Sequence, residues 1–216
     1  YSIKTRAVTE AERAGIMKAL GTDALEKSFT SIGPSVGAEL VRKSIISFIL
    51  VSLGIIFFIA YSFRKVSRVI SSWKYGFIAI VTLIHDILIP VGVFAILSHV
   101  YGTEVDTLFV VAILTILGLS VSDTIVVFDR VRENIRIGNF KTFEETVGRS
   151  LEQVYTRSIA TSSTVIIVLL ALVFFGPAST KVFAMMLTAG MFLGTYSSIF
   201  LASPLLVMFN NMGKNK

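Results

Sequence analysis

Asp86, Asp123 and Arg157 are the residues of this 216-residue chain whose chemistry stands out, because each lies within or at the edge of a long apolar run. Asp123 sits in Gly118–Glu133, GLSVSDTIVVFDRVRE, whose first half is apolar enough for a bilayer and whose second half, from Asp129, is charged. An ionised carboxylate in hydrocarbon costs roughly 2.5–3.5 kcal/mol even on lenient insertion scales, so such a group needs a partner or a task. The spacing predicts Arg157, at the inner mouth of the next run, as that partner. Arginine stays charged throughout, so in such a pair only the aspartate can gain or lose a proton. A pair that switches would convert proton binding into helix movement; a pair that does not would simply fix two helices.

Other polar groups extend the pattern. Arg157, Thr161 and Thr164 recur at i, i+4 and i+7 and share a helix face, widened by Ser158, Ser162 and Ser163. Ser120 shares a face with Asp123, and Gly118 and Ser122 form a small-xxx-small pair. Against a proton path through Ser120, Thr161 and Thr164 stands a plainer role, a hydroxyl bonding the carbonyl one turn back. Asp86 is four residues before Pro90, so its carbonyl loses its helical donor and needs a protein or water partner in lipid. His85 reads as a hydrogen-bonded packing residue rather than a ligand. Gly190 and Gly194 make a GxxxG, which brings helices close and is silent on function.

The elements that must hold these residues are membrane helices. Hydrophobic residues make up 54% of the chain and charged ones 16%, with a mean hydropathy of +0.79, whereas soluble domains are nearer a quarter charged. Five runs, near 44–63, 75–97, 107–128, 155–175 and 182–209, reach the length of about 20 residues that a ~30 Å hydrocarbon core requires. The expected fold is an all-α polytopic bundle of five spans over 41–216. Residues 1–40 read as the tail of a small α/β domain: a strand pattern at Tyr1–Val8, a helix opened by a Thr9/Glu12 capping box and closed at Gly21, then a turn-rich hinge at Gly33, Pro34 and Gly37. A second capping box at Thr142 and Glu145 and an apolar face of Phe143, Val147, Leu151 and Val154 predict an amphipathic connector before the fourth span. Val66, Val69, Ile70 and Trp73 suggest a short surface helix after the first.

Basic residues orient the chain. Arg64, Lys65, Arg68, Lys74, Arg130, Arg132, Arg136, Lys141, Arg149, Lys214 and Lys216 fall in connections on one side, against Lys181 alone in Ser98–Asp106 and Gly176–Lys181. The basic side is cytoplasmic, which puts the C-terminus inside and residues 1–40 outside. An outside start and the absence of an initiator methionine make this chain read as a fragment preceded by at least one further span. Asp123 then lies roughly 24 Å from the outer end of its span, in the inner third, and Asp86 close to the midplane. The charge of +6 fits lipid and topology rather than nucleic acid, for which no motif is present. Without cysteine and with two histidines, the chain has no thiolate or multi-histidine metal site, and no cofactor is implied. No nucleophile–base pair or phosphate loop can be assembled, so an enzyme is not expected.

Four separated motifs carry a resemblance: GPSVGAEL at 33–40, HDILIPVGVFA at 85–95, SVSDTIVVFDRVREN at 120–134 and LEQVYTRSIATS at 151–162. Together they make the chain resemble the SecF family, the smaller half of the SecD–SecF protein-export complex within the resistance-nodulation-division superfamily. The resemblance covers essentially all 216 residues. It implies six spans in the complete subunit, a bacterial inner-membrane location, and completion of preprotein export driven by the ion-motive force. It also implies SecD, the SecYEG channel and the preprotein as partners, with YidC-type and YajC-type subunits as further candidates beside membrane lipid. The family's intramembrane proton-passage residues map onto Asp123 and Arg157, and its His-Asp pair onto Asp86, a third candidate for proton transfer. Two other readings stay open: an exporter of small amphiphiles, and a scaffold in which nothing titrates.

Overall fold

The computed structural model describes residues 8–21, 34–64, 71–101, 105–138 and 140–214. These residues form seven α-helices and, among them, no strand: α1 (Glu10–Ala19), α2 (Pro34–Ser62), α3 (Ser72–Tyr101), α4 (Thr107–Ile137), α5 (Phe143–Phe175), α6 (Ala178–Ser197) and α7 (Ser203–Lys214). A five-residue π turn, Ser198–Ala202, joins the last two. The strand expected at Tyr1–Val8 falls, but for Val8, outside the described residues, as do Gly33 and most of the surface helix expected after α2. Five helical stretches are long and apolar enough to cross a membrane: Val41–Ser62, Ser72–His99, Thr107–Ile137, Phe143–Phe175 and Ala178–Met212. The chain is a polytopic membrane helical bundle.

By compactness the chain divides into Tyr1–Ser47 and Phe48–Lys216. In the first unit α1 starts with the expected capping box, in which Thr9 accepts from the Glu12 N–H and Glu12 accepts from the Thr9 N–H. The expected hinge is different: α2 begins at Pro34 and carries Gly37 within its first turn. Proline's fixed φ and missing N–H suit the first helical position, so a residue that suggested a turn instead opens a helix.

In the second unit local chemistry sets the helix ends. Asp106 caps α4 by accepting from the Phe109 N–H, and Gly138, at φ 72°, ends it in the left-handed conformation that glycine adopts at no steric cost. Thr142 caps α5 by accepting from the Glu145 N–H, while the Glu145 carboxylate takes the Lys141 N–H. The amphipathic connector expected before the fourth span is not a separate helix. It is the first third of α5, whose 33 residues run roughly 50 Å, well past the hydrocarbon core. Nothing between Thr142 and Arg157 breaks the helix, and Phe143, Val147 and Val154 are buried where the sequence put its apolar face. Gly176 and Pro177 then turn the chain into α6. A Cβ on Gly176 would stand 2.3 Å from the Leu172 carbonyl oxygen, so no larger residue fits that turn.

Helix α6 packs against α3, α4 and α5 and is the centre of this unit. Its two glycines explain how. A Cβ on Gly190 would come within 2.4 Å of Ile116, and one on Gly194 within 3.1 Å of Ser120 Cβ and 3.2 Å of its Cα. Close approach of α6 to α4 is what the GxxxG provides. The companion pair does not do this: Gly118 and Ser122 lie on the exposed face of α4, and nothing approaches Gly118. One apolar cluster closes the bundle around Ile59, Phe63, Tyr75, Phe128, Val131, Phe143 and Leu206. Another joins Phe94, Ala112, Ile116, Met186 and Leu187. In that first cluster Arg132 lies over the Phe63 ring and donates to the Ser62 carbonyl at the end of α2. The polar residues of α3 to α6 collect elsewhere in the bundle.

Candidate functional site

The buried polar layer holds both intramembrane aspartates, each lodged where three helices meet. Asp86, on α3, is fully buried. Its Oδ2 accepts from Ser120 Oγ of α4 at 2.5 Å and from Ser197 Oγ of α6 at 2.6 Å. His85 Nδ1 stands 2.8 Å from Oδ1, so His85 is the hydrogen-bonded neighbour that the sequence suggests. Asp123, on α4, remains 9% exposed. Its Oδ2 accepts from Thr195 Oγ1 of α6 at 3.0 Å and, more weakly, from Ser162 Oγ of α5 at 3.4 Å. Thr124 Oγ1 and Ser198 Oγ, 3.2 Å apart, add a further link between α4 and the start of the π turn.

The π turn has a local cause. Pro204 has no N–H for the carbonyl one turn earlier and would clash with it in a regular helix, and a π turn widens the ladder at such a point. Ser203 Oγ donates to the Ser198 carbonyl, 3.1 Å away, across this widened stretch.

The expected ion pair between Asp123 and Arg157 is not formed. Val154, Ser158 and Ser162 are the buried stripe of α5, whereas Arg157, Thr161 and Thr164 are exposed. Arg157 is five residues from Ser162, which turns it about 140° away from the hydroxyl that meets Asp123. The stripe does share a face, as its spacing requires, but that face points out of this chain. Thr164 follows the plainer role, donating to the Thr161 carbonyl at 2.7 Å. Arg157 instead lines an open groove of about 450 Å³ between α4 and α5, with Ile125, Val126, Asp129, Arg130, Glu133, Gln153 and Val154. Arg130 is engaged there by Glu133 and Gln153, and Asp129 by Arg132. Among the described residues Arg157 makes no ion pair.

Ser120, expected on the proton path beside Asp123, serves Asp86 instead. Thr195 and Ser197 are the functional candidates that the sequence reading missed. The available signal was GTYSS at 194–198, four small or polar residues in five inside an apolar span. Chemically, the layer offers two carboxylates that can bind a proton and hydroxyls that can turn between acceptors, with no group of three or more His, Asp or Glu residues suited to a metal among the described residues.

This arrangement sits on a known scaffold. Residues 13–212 match the family model for the protein export membrane protein SecD/SecF, C-terminal. The chain belongs to that family. It is 48% identical over 209 residues to protein translocase subunit SecF of Thermobaculum terrenum, covering 97% of this chain and 65% of the relative. With protein translocase subunit SecF of Synechocystis it is 38% identical, covering 94% and 64%. A crystal structure of SecDF, a translocon-associated membrane protein from Thermus thermophilus, superposes with a TM-score of 0.78 at 32% identity, over 94% of this chain and 27% of that one. A second SecDF crystal structure, in a super-membrane-facing form, gives 0.74 at 28% identity. The chain thus spans just under two thirds of the length of these curated relatives.

Proposed function

We propose that this chain is the membrane part of an auxiliary subunit of the Sec protein-export machinery, coupling proton movement at Asp123 to completion of preprotein translocation. The observation that carries the reading is the lodging of Asp123: a carboxylate inside a membrane bundle, near its surface, held among the described residues by two hydroxyls from two other helices. An Asp fixed for structure alone has no need of such loose bonds, and intramembrane carboxylates of this kind mark ion pathways. Family membership and the SecF and SecDF relatives support the export role. The working partner is SecD, as the fused SecDF relatives suggest, with SecYEG and the preprotein beyond it, and YidC-type and YajC-type subunits as additional candidates.

The outward face of α5 supports a partner inside the membrane. Arg157, Thr161 and Thr164 would be costly against acyl chains, so we infer that a polar face of SecD covers them and supplies the acceptor for Arg157. Asp86, with its three donors, fixes the bundle around which Asp123 works. The basic connections lie in the cytoplasm of a bacterium and residues 98–106 and 176–181 in the periplasm. Ser179→Cys should therefore react only with reagents applied from the periplasmic side, since the chain has no cysteine of its own.

The functional test uses the full-length protein with its partners in inverted vesicles supplied with SecA and ATP. Asp123→Asn keeps the size of the side chain and removes its titration. It should assemble normally and lose the stimulation of preprotein export by an imposed proton gradient. Full stimulation in a well-assembled Asp123→Asn would leave the scaffold reading in place of this one.

A further inference from the structure

Resting on that reading of Asp123, we propose that Thr195 is the positioning residue of the proton-binding step, its hydroxyl donating to Asp123 while the carboxylate is charged and to Ser162 once Asp123 carries a proton. The hydroxyl of Thr195 is buried and has one proton and three acceptors within reach. These are Asp123 Oδ2 at 3.0 Å, Ser162 Oγ at 2.5 Å and the Met191 carbonyl of its own helix at 3.1 Å. A threonine hydroxyl donates one hydrogen bond at a time, so the three compete. Ser162 is able to receive it, because its own proton has the Ser158 carbonyl at 2.8 Å as the nearer acceptor. Bonds from a hydroxyl to a charged oxygen are roughly twice as strong as those to a neutral one. Charge on Asp123 therefore draws the Thr195 proton towards α4, and neutralisation releases it towards α5.

The step balances simply. Asp123 takes one proton from a hydronium ion, which leaves as water, and becomes a carboxylic acid, while Thr195 keeps its own proton and only exchanges acceptors. What changes is which helix α6 is bonded to. The π turn begins three residues after Thr195, in the kind of irregular helical segment that is frequent at functional sites. The geometry thus gives proton binding a mechanical outcome, transfer of an α6 bond from α4 to α5.

The full-length protein with its partners, in inverted vesicles, allows the test. Thr195→Val replaces the hydroxyl by a methyl group of similar size, and Thr195→Ser restores the hydroxyl without the methyl. Val should lower gradient-stimulated export by about tenfold and Ser return it to within about twofold of wild type, as expected for losing and regaining one hydrogen bond to a charged group. In infrared difference spectra after an acid jump, the acid carbonyl band of Asp123 should be displaced in Val and back in place in Ser. Wild-type stimulation with an unmoved band in Val, or failure of Ser to restore either readout, overturns the proposal. Asp123→Asn in the same vesicles separates the two claims. Retained stimulation there removes the reading of Asp123 itself, whereas lost stimulation there with full stimulation in Val removes only the role of Thr195. Should Val not assemble, Ser162→Ala decides: it deletes the receiving oxygen and should also cost about tenfold in stimulation, and full stimulation in Ser162→Ala overturns the proposal.

Discussion

Asp86 and Asp123 are two intramembrane aspartates in one bundle, and their surroundings differ in exposure and in the length of the bonds from their donors. Asp86 has no exposed surface and two hydroxyls at 2.5 and 2.6 Å on a single oxygen, with an imidazole on the other. Asp123 keeps 9% of its surface and has hydroxyls at 3.0 and 3.4 Å. The donors also differ. Ser120 has no other acceptor among its described contacts, so its bond to Asp86 has no competitor. Ser197, the other donor to Asp86, has the Gly194 carbonyl at 3.1 Å as a second acceptor but lies nearer the carboxylate, whereas Thr195 and Ser162 each have a competing acceptor closer than Asp123. Both carboxylates hang from α6, through Ser197 and Thr195, two residues apart and so on different sides of the helix. Both carboxylates are buried, and what separates them is how tightly their donors hold them.

The largest effect should come from breaking the tighter cluster. Asp86→Ala leaves Ser120 and His85 without their acceptor, while Ser197 keeps the Gly194 carbonyl at 3.1 Å, and each buried orphan costs about 1–3 kcal/mol. Thermal unfolding in detergent should show a loss of roughly 3–5 kcal/mol, with Asp123→Ala losing about a third of that. Equal losses would abolish the contrast between the two sites. Next in size is Gly194→Val, which drives side-chain atoms into Ser120 on α4 and so disturbs the donors of both carboxylates. Overpacking of this kind costs about 1–3 kcal/mol, and gradient-stimulated export should fall with stability. A Gly194→Val protein as stable as wild type would mean that α4 and α6 are not in close contact. Smallest in stability is Arg157→Met, expected within about 0.5 kcal/mol of wild type because the side chain is exposed and makes no ion pair among the described residues. Its export should nevertheless lose gradient stimulation. As a sharper form, Arg157→Cys should label readily in the chain alone and be shielded when SecD is co-expressed; equal labelling in both would place Arg157 away from that partner.

The sequence is a good guide to the membrane helices and an incomplete one to the site. Twenty or more apolar residues in a row permit little besides a span, and the basic connections and the caps at Thr9 and Thr142 mark ends by chemistry confined to a few neighbours. Asp123 and Asp86 are equally legible, because a carboxylate in an apolar run is conspicuous. Their partners are not. Arg157 looked right for Asp123 by depth and charge, but depth leaves the angle around α5 unspecified, and about 140° separates Arg157 from Ser162, which makes the contact. Ser120 lies on the buried face of α4 as its spacing suggests, but only the crossing of α3 shows that Asp86 is the carboxylate it meets. Thr195 and Ser197 sit in the last span, where the GxxxG drew attention to packing and the hydroxyls beside it went unread. Long-range pairing of polar groups depends on helix rotation, and periodicity within one helix does not reveal which neighbour each face will meet.

The central claim, that Asp123 takes up a proton, is tested most directly by infrared difference spectroscopy of the full-length protein in membranes after an acid jump. The account predicts an acid carbonyl band that is present in wild type and in Asp86→Asn and absent in Asp123→Asn. A band that survives Asp123→Asn and vanishes in Asp86→Asn would contradict it and exchange the roles of the two aspartates.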